Sequence, residues 1–131
     1  MKHLLVFLFL LSTFSLSAQD WLIDGSPYKS TAQTTHEGKR LELTNGLLRR
    51  TFLLAPNAAT IALDNLMTGQ NELRAVRPEA LLVINGKEYP VGGLTGQPVN
   101  NFLTEEFINN MQACDSAFML VNYQISESKE R

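Results

Sequence analysis

From residue 39 onward the chain alternates between short apolar, β-favouring runs and turn-forming dipeptides. Residues 41–44 lead into Asn45-Gly46, and residues 80–84 lead into Asn85-Gly86. Asn-Gly is typical of the two positive-φ positions of a type I′ turn, whose twist matches that of paired antiparallel strands. The pattern therefore predicts two β-hairpins.

The same reading extends to further strands between turn signals such as Pro56 and Gly69. A two-residue turn at Asn45-Gly46 would pair Thr44 with Leu47 and Leu43 with Leu48. In the last strand, every second residue is apolar, and we expect that side to face a core. The predicted strands span residues 39–44, 47–54, 58–63, 72–76, 79–84, 87–91 and 118–125, and the apolar side of the last one carries Met119, Val121, Tyr123 and Ile125.

Residues 100–113 depart from the strand pattern. Leu103, Phe107 and Met111 recur every four residues, as they would on one face of a helix, so a short helix or a compact loop is expected near 101–113. Short strands at this spacing indicate an all-β fold, an antiparallel β-sandwich. Because the strands are few and the last lies close to Arg131, part of a larger sandwich is the alternative.

The first eighteen residues have the pattern of a signal peptide: a basic start at Lys2, an apolar core at residues 4–11 and small residues up to Ala18. The apolar core is shorter than the roughly 20 residues that a membrane span needs. The sequence thus predicts a signal peptide at 1–18, an irregular lead-in at 19–38 and a β-module at 39–131. Export to the periplasm or the medium follows, with no membrane span after cleavage.

Charge and cysteine content exclude several classes of protein. Without Lys2, ten basic residues stand against thirteen acidic ones, and no basic patch is apparent, so nucleic acid is not an expected partner. Cys114 is the only cysteine, so no disulfide can form within the chain. We expect it to be a small buried residue.

Three aromatic residues are candidates for stacking on a sugar ring: Trp21, Tyr28 and Tyr89. An aromatic face suits the apolar C–H face of a pyranose. The alternative is ordinary packing within or between strands, which is the usual role of strand aromatics.

Arg49 and Arg50 are candidates for hydrogen bonds to the hydroxyls of a carbohydrate. They lie in mid-strand, so one side chain points to each face. The alternative is a solvated arginine, or one paired with a carboxylate such as Glu42.

No catalytic or metal constellation is recognisable. Glu105, Glu106 and Asp115 lack the spacing of a glycosidase carboxylate pair, because adjacent helical residues point in different directions. His36 stands alone in a polar segment. The sequence therefore predicts no catalytic residue, no metal and no cofactor.

Several segments together resemble the start of large exported glycosidases of Bacteroidetes type, α-galactosidase-like proteins similar to glycoside hydrolase family 36. The resemblance covers roughly residues 40–125. The segments that carry it are residues 43–52 (LTNGLLRRTF), 55–60 (APNAAT), 65–69 (NLMTG), 74–79 (RAVRPE), 83–87 (VINGK) and 91–94 (VGGL).

The resemblance implies an N-terminal β-sandwich that packs on a catalytic (β/α)8 barrel. The chain does not contain that barrel, so no catalytic residue is carried over and this chain by itself is expected to be inactive. We therefore interpret it as the non-catalytic module or fragment of an exported carbohydrate-active enzyme, with a barrel domain as its partner. The alternatives are a stand-alone carbohydrate-binding module and an interaction subunit that docks through a sheet edge.

Overall fold

The computed structural model describes residues 21–126, so the predicted signal peptide lies outside the described residues. Within that range the protein is built of antiparallel strands and one short helix, which confirms the all-β prediction. In chain order the elements are β1 (Thr31–Thr35), β2 (Arg40–Thr44), β3 (Leu48–Leu53), β4 (Ala59–Asn65), β5 (Gln70–Asn71), β6 (Ala80–Ile84), β7 (Lys87–Val91), β8 (Leu94–Thr95), α1 (Glu105–Asn110) and β9 (Gln112–Ala113).

The first five strands form one antiparallel sheet in chain order, each strand pairing with the next. β6 pairs with β7, and β8 pairs with β9, as two separate ribbons. The helix begins at Thr104, whose hydroxyl accepts a hydrogen bond from the Phe107 amide at 3.3 Å. Glu105 and Glu106 in its first turn suit the positive end of the helix dipole.

The core lies between the centre of the sheet and the elements that cover it. Leu53, Ala59 and Ile61 of β3 and β4 form its sheet side. The opposite side comes from the segment after β5, from β8, and from α1 and the residue that follows it, namely Val76, Leu94, Ile108 and Met111. The core is small, so hydrogen bonds between segments are also needed to hold the fold together.

Asn57 is the most deeply buried polar side chain, at 1 % exposed, and it joins the loop before β4 to the segment after β9. Its Nδ2 donates to the Phe118 carbonyl at 3.2 Å, and its Oδ1 accepts from the Leu120 amide at 2.9 Å. The same oxygen accepts from the Ala58 amide at 2.9 Å. One side chain therefore satisfies three backbone groups.

The two Asn-Gly turns differ. Asn85 and Gly86 both have positive φ, 53° and 77°, and Ile84 pairs with Lys87, as a type I′ hairpin requires. At the first turn only Gly46 has positive φ, and Thr44 pairs with Arg49 instead of Leu47. The predicted register there was wrong by two residues, which leaves every side chain on its predicted face.

The reason lies in the side chain of Asn45. Its Oδ1 accepts hydrogen bonds from the amides of Leu47 and Leu48, at 3.0 and 2.9 Å. These bonds hold residues 45–48 as a wider loop, because an Asn side chain can replace a backbone acceptor in a turn.

Three other predictions need correction. Residues 31–35, expected to be irregular, form β1, because threonine-rich sequence favours a strand and positive φ at His36, Glu37 and Gly38 turns the chain back onto β2. Residues 72–76 form no strand, because the Gln97 side chain bonds their backbone: its Oε1 accepts from Val76 N and its Nε2 donates to Arg74 O.

Residues 118–125, which were also predicted to be a strand, form none. One bridge between Val91 and Phe118 is their only ladder contact among the described residues. The side chains predicted to face a core are exposed at Met119, Val121, Tyr123 and Ile125, because no described strand lies beside them.

Replacing Asn57 with alanine is expected to destabilise the protein by about 2–4 kcal/mol, since the amides of Ala58 and Leu120 lose their acceptor and the Phe118 carbonyl loses one of its two donors. Asn122→Ala is the matched control, because that exposed side chain bonds only the next amide, and a change within about 0.5 kcal/mol is expected. Chemical denaturation measures both. Equal losses would contradict the role given to Asn57.

Candidate functional site

One face of the five-stranded sheet changes from apolar to polar along its strands. Leu53 lies opposite Arg40, Thr51 opposite Glu42, and Arg49 opposite Asp64, so the strand period of two places all six on one face. At one end of this face Leu53 joins the core, with Arg40 beside it. The polar end carries one arginine, two carboxylates and a hydroxyl.

The polar end of the sheet and the helix enclose a cavity of about 420 Å³, which we call the sheet cavity. Its polar walls are side chains of β2, β3 and β4, with Asn71 of β5 and Glu105 of α1. Ile61, Leu103 and Ile108 contribute apolar surface. A volume of this size falls within the range of small-molecule sites in proteins.

Arg49 and Asp64 form an ion pair across β3 and β4. Nε and Nη2 of Arg49 donate to the same oxygen, Oδ2 of Asp64, at 3.0 and 2.9 Å. Nη1 of Arg49 and Oδ1 of Asp64 have no hydrogen-bond partner among the described residues. The pair is therefore fixed in position, and Nη1 of Arg49 and Oδ1 of Asp64 are still free to donate and to accept hydrogen bonds.

A second ion pair joins the helix to the sheet. The Arg40 side chain is only 11 % exposed, and its two terminal nitrogens donate to the two carboxylate oxygens of Glu105, which is 67 % exposed. Bidentate pairing of this kind fixes both distance and orientation. These hydrogen bonds from Arg40 hold the pKa of Glu105 below its ordinary value of 4.5.

Thr51 supplies a hydroxyl at the floor of the sheet cavity. The residue is 6 % exposed, and its hydroxyl has no hydrogen-bond partner among the described residues. No fully enclosed polar side-chain atom in residues 21–126 lacks a partner, so this hydroxyl keeps some exposure, and Thr51 is one of the residues that line the cavity. Glu42 beside it accepts from Thr35 at 3.0 Å.

The carbohydrate-binding candidates named from the sequence lie in different places. Arg49 lines the sheet cavity, whereas Arg50 lies on the opposite face, where it stacks on Phe52 at 4.5 Å and bonds Thr60 and Glu79. The expectation that one arginine points to each face is thus confirmed. Glu42 pairs with neither.

The aromatic candidates are also separate from the cavity. Tyr89 packs against Phe118, with ring centroids 5.8 Å apart, in the cross-segment role given as the alternative to stacking. Tyr28 is half-buried beside Gly46, and Trp21 is partly exposed before β1. None of the three lines the sheet cavity.

Sequence reasoning missed the residues that join Arg49: Arg40, Glu42, Thr51 and Asp64. A signal was present, because alternation along a hairpin puts Arg40, Glu42, Arg49 and Thr51 on one face. Asp64 follows from the antiparallel return of β4. The partnership of Arg40 with Glu105, 65 residues away in the sequence, has no local signal.

A second surface is the hairpin of β6 and β7, which we call the ribbon. All five residues of β6 are exposed, and its four large apolar side chains, Leu81 to Ile84, are 44–65 % exposed. Leu81 and Val83 lie on one face, and Leu82 and Ile84 on the other. The ribbon therefore carries uncovered apolar side chains on both faces.

Cys114 is half-buried, less than expected, with its Sγ 3.5 Å from the Ser116 hydroxyl. Within residues 21–126 no group of three or more His, Cys, Asp or Glu side chains could hold a metal ion. The described part of the chain also has no helix of the length and apolarity needed to cross a membrane.

Comparison with family models, with curated proteins and with solved structures finds no match to this chain.

The ion pair between Arg40 and Glu105 predicts a pH dependence of stability. Because the pKa of Glu105 is lowered in the folded state, the stability that its ion pair contributes is fully present above pH 4.5. That stability is lost as the pH falls through the folded-state pKa. Glu105→Gln should therefore lower the melting temperature near neutral pH, and the difference from wild type should shrink as the pH falls below 4.5 and through the folded-state pKa.

Glu106→Gln is the matched control, since Glu106 lies in the same helical turn and forms no ion pair among the described residues. Thermal melts between about pH 3 and pH 7 measure both variants. A difference between wild type and Glu105→Gln that stays constant across this range would contradict the assignment.

Proposed function

We propose that the chain is the non-catalytic β-module of an exported carbohydrate-active protein of glycoside hydrolase type, and that it packs against the catalytic domain through the ribbon. The observation that carries this proposal is the exposed apolar strand β6. The resemblance of residues 40–125 to the N-terminal region of such enzymes supplies the class of partner.

The ribbon has the character of an interface rather than of an ordinary solvent-facing hairpin. A two-stranded hairpin alone in water is marginally stable at best, so an isolated ribbon gains by being covered. Contiguous exposed apolar surface is uncommon on soluble monomers and marks sites of association. Tyr89 on β7 adds an aromatic of the kind enriched at interfaces.

The base of the ribbon is fixed to the rest of the molecule. Glu79 N donates to Val91 O, Gly92 N donates to Phe118 O, and Gly93 N donates to Ala58 O. At Gly93 the chain passes so close to Pro78 that a β-carbon would lie 2.8 Å from the Pro78 backbone. The ribbon is thus held at a defined position, which lowers the entropic cost of docking.

The state of the carboxylates supports a non-catalytic role. Asp64, Glu79 and Glu105 are each engaged by an arginine: Arg49, Arg50 and Arg40 respectively. Glycoside hydrolysis needs one carboxyl kept protonated by a raised pKa, whereas the hydrogen bonds from Arg40 lower the pKa of Glu105. All three carboxylates are engaged in ion pairs within the module.

The test starts from the DNA around the gene. The proposal requires a glycosidase barrel encoded in the same reading frame or beside it. Joined to or co-expressed with that domain, Leu81→Thr/Val83→Thr should weaken the association at least tenfold, because one apolar face of the ribbon is lost. Calorimetry, or the melting temperature of the joined protein, measures the effect.

Val99→Thr/Leu66→Thr is the matched control, since both residues are exposed apolar residues outside the ribbon. It should leave the association unchanged. In the isolated chain, the ribbon variant should also self-associate less than wild type in sedimentation experiments, because less apolar surface is exposed. Unchanged association of the ribbon variant, or the lack of any encoded catalytic domain, would overturn the proposal.

A further inference from the structure

We infer that the sheet cavity is a binding site for a neutral polyhydroxyl ligand, a single sugar unit, held by Arg49, Asp64 and Thr51. The site is separate from the ribbon, and it does not require the ribbon to dock. The inference rests on the charge balance of the cavity, on the free hydrogen-bonding groups in it, and on its apolar surface.

The charge balance excludes a strongly anionic ligand. Arg40 and Arg49 face three carboxylates, Glu42, Asp64 and Glu105, so these five side chains together carry one excess negative charge. Each arginine is already paired with a carboxylate. An incoming phosphate or carboxylate would therefore compete with an existing partner and meet an excess of negative charge.

The free groups in the cavity are a mixture of donors and acceptors. Arg49 offers Nη1 as a donor, Asp64 offers Oδ1 as an acceptor, and the Thr51 hydroxyl can do both. Asn71 on β5 adds its Nδ2 donor, since its Oδ1 already accepts from the Leu73 amide at 2.8 Å. A sugar hydroxyl donates and accepts at once, so vicinal hydroxyls match this set.

The apolar surface of the cavity suits the C–H groups on the faces of a sugar ring. Ile61, Leu103 and Ile108 line the cavity beside the polar groups. A pyranose presents C–H groups on its faces and hydroxyls around its edge, so it can use both kinds of surface together. A fully hydrated ion would gain nothing from the apolar part.

The groups are also held in position before any ligand arrives. Arg49 and Asp64 fix each other through two hydrogen bonds, and Thr51 lies in the interior of β3. Prior fixation of this kind reduces the side-chain entropy lost on binding. The ion pair from Arg40 to Glu105 holds the helical wall of the cavity against the sheet.

Titration of the purified protein with the methyl glycosides of glucose, galactose and mannose, followed by amide chemical shifts, tests the inference. We expect at least one of them to bind with a Kd in the millimolar range, with shifts confined to β2, β3, β4, β5 and α1. Glucuronic acid should bind at least tenfold more weakly than the neutral sugar, because it brings a carboxylate.

Two variants test the named groups. Thr51→Val keeps the shape of the side chain and should weaken binding about fivefold, the value of one hydrogen bond. Asp64→Asn should weaken it about tenfold, because the free charged acceptor becomes neutral. Thr34→Val is the matched control: Thr34 lies opposite Leu41, on the other face of the sheet, and binding should be unchanged.

Amide spectra that superpose on wild type away from the cavity show that each variant is folded. The inference would be overturned if none of the neutral sugars showed saturable binding, or if the chemical-shift changes were centred on the ribbon. It would also be overturned if Thr51→Val and Thr34→Val had equal effects on binding. The ribbon variant Leu81→Thr/Val83→Thr should keep its sugar affinity, so failure of docking and failure of sugar binding are distinguishable.

Discussion

The register of β2, β3 and β4 is the constraint on which the rest of the structure depends. Because side chains alternate along a strand, pairing Glu42 with Thr51 and Arg49 with Asp64 decides which residues share a face. That face holds the sheet side of the core at one end and the sheet cavity at the other. A slip of one residue would bury Arg50 and Leu48 there and expose Leu53.

A large part of this organisation could be predicted from the sequence. Alternating apolar residues and the Asn85-Gly86 turn predict the all-β class and the second hairpin. The four-residue recurrence of Leu103, Phe107 and Met111 predicts a short helix or a compact loop, and α1 lies in that segment. These are local signals, set by the strand and helix periods and by turn chemistry.

What could not be predicted depends on contacts between distant segments. The Asn45 side chain widens the first turn, and Gln97 takes the backbone bonds that a strand at 72–76 would have used. The apolar pattern of 118–125 is typical of a strand, yet in the described residues only Phe118 pairs with a neighbouring strand, through one bridge to Val91 of β7. The sheet cavity could not be predicted because it forms only where the helix lies over the sheet. The ion pair between Arg40 and Glu105, which are far apart in the sequence, holds the helix there.

The described molecule thus has two unlike surfaces on one scaffold. The sheet cavity is polar, and two ion pairs hold its arginines in position; we infer from it a site for a small neutral sugar. The ribbon exposes the apolar side chains of β6, and we propose that it meets a partner domain. Binding in the sheet cavity depends on hydrogen bonds and docking of the ribbon depends on apolar contact. An experiment can therefore overturn one of the two proposals without overturning the other.

The central claim is that the ribbon is an uncovered element on a more stable sheet. Residue-resolved amide hydrogen exchange of the purified protein tests it most directly, since it measures the free energy of local opening. The account predicts the slowest exchange in β3 and β4 and exchange at least a hundredfold faster in β6 and β7. Equal protection of β6 and β3 would show that the ribbon belongs to the same cooperative unit, and it would contradict the account.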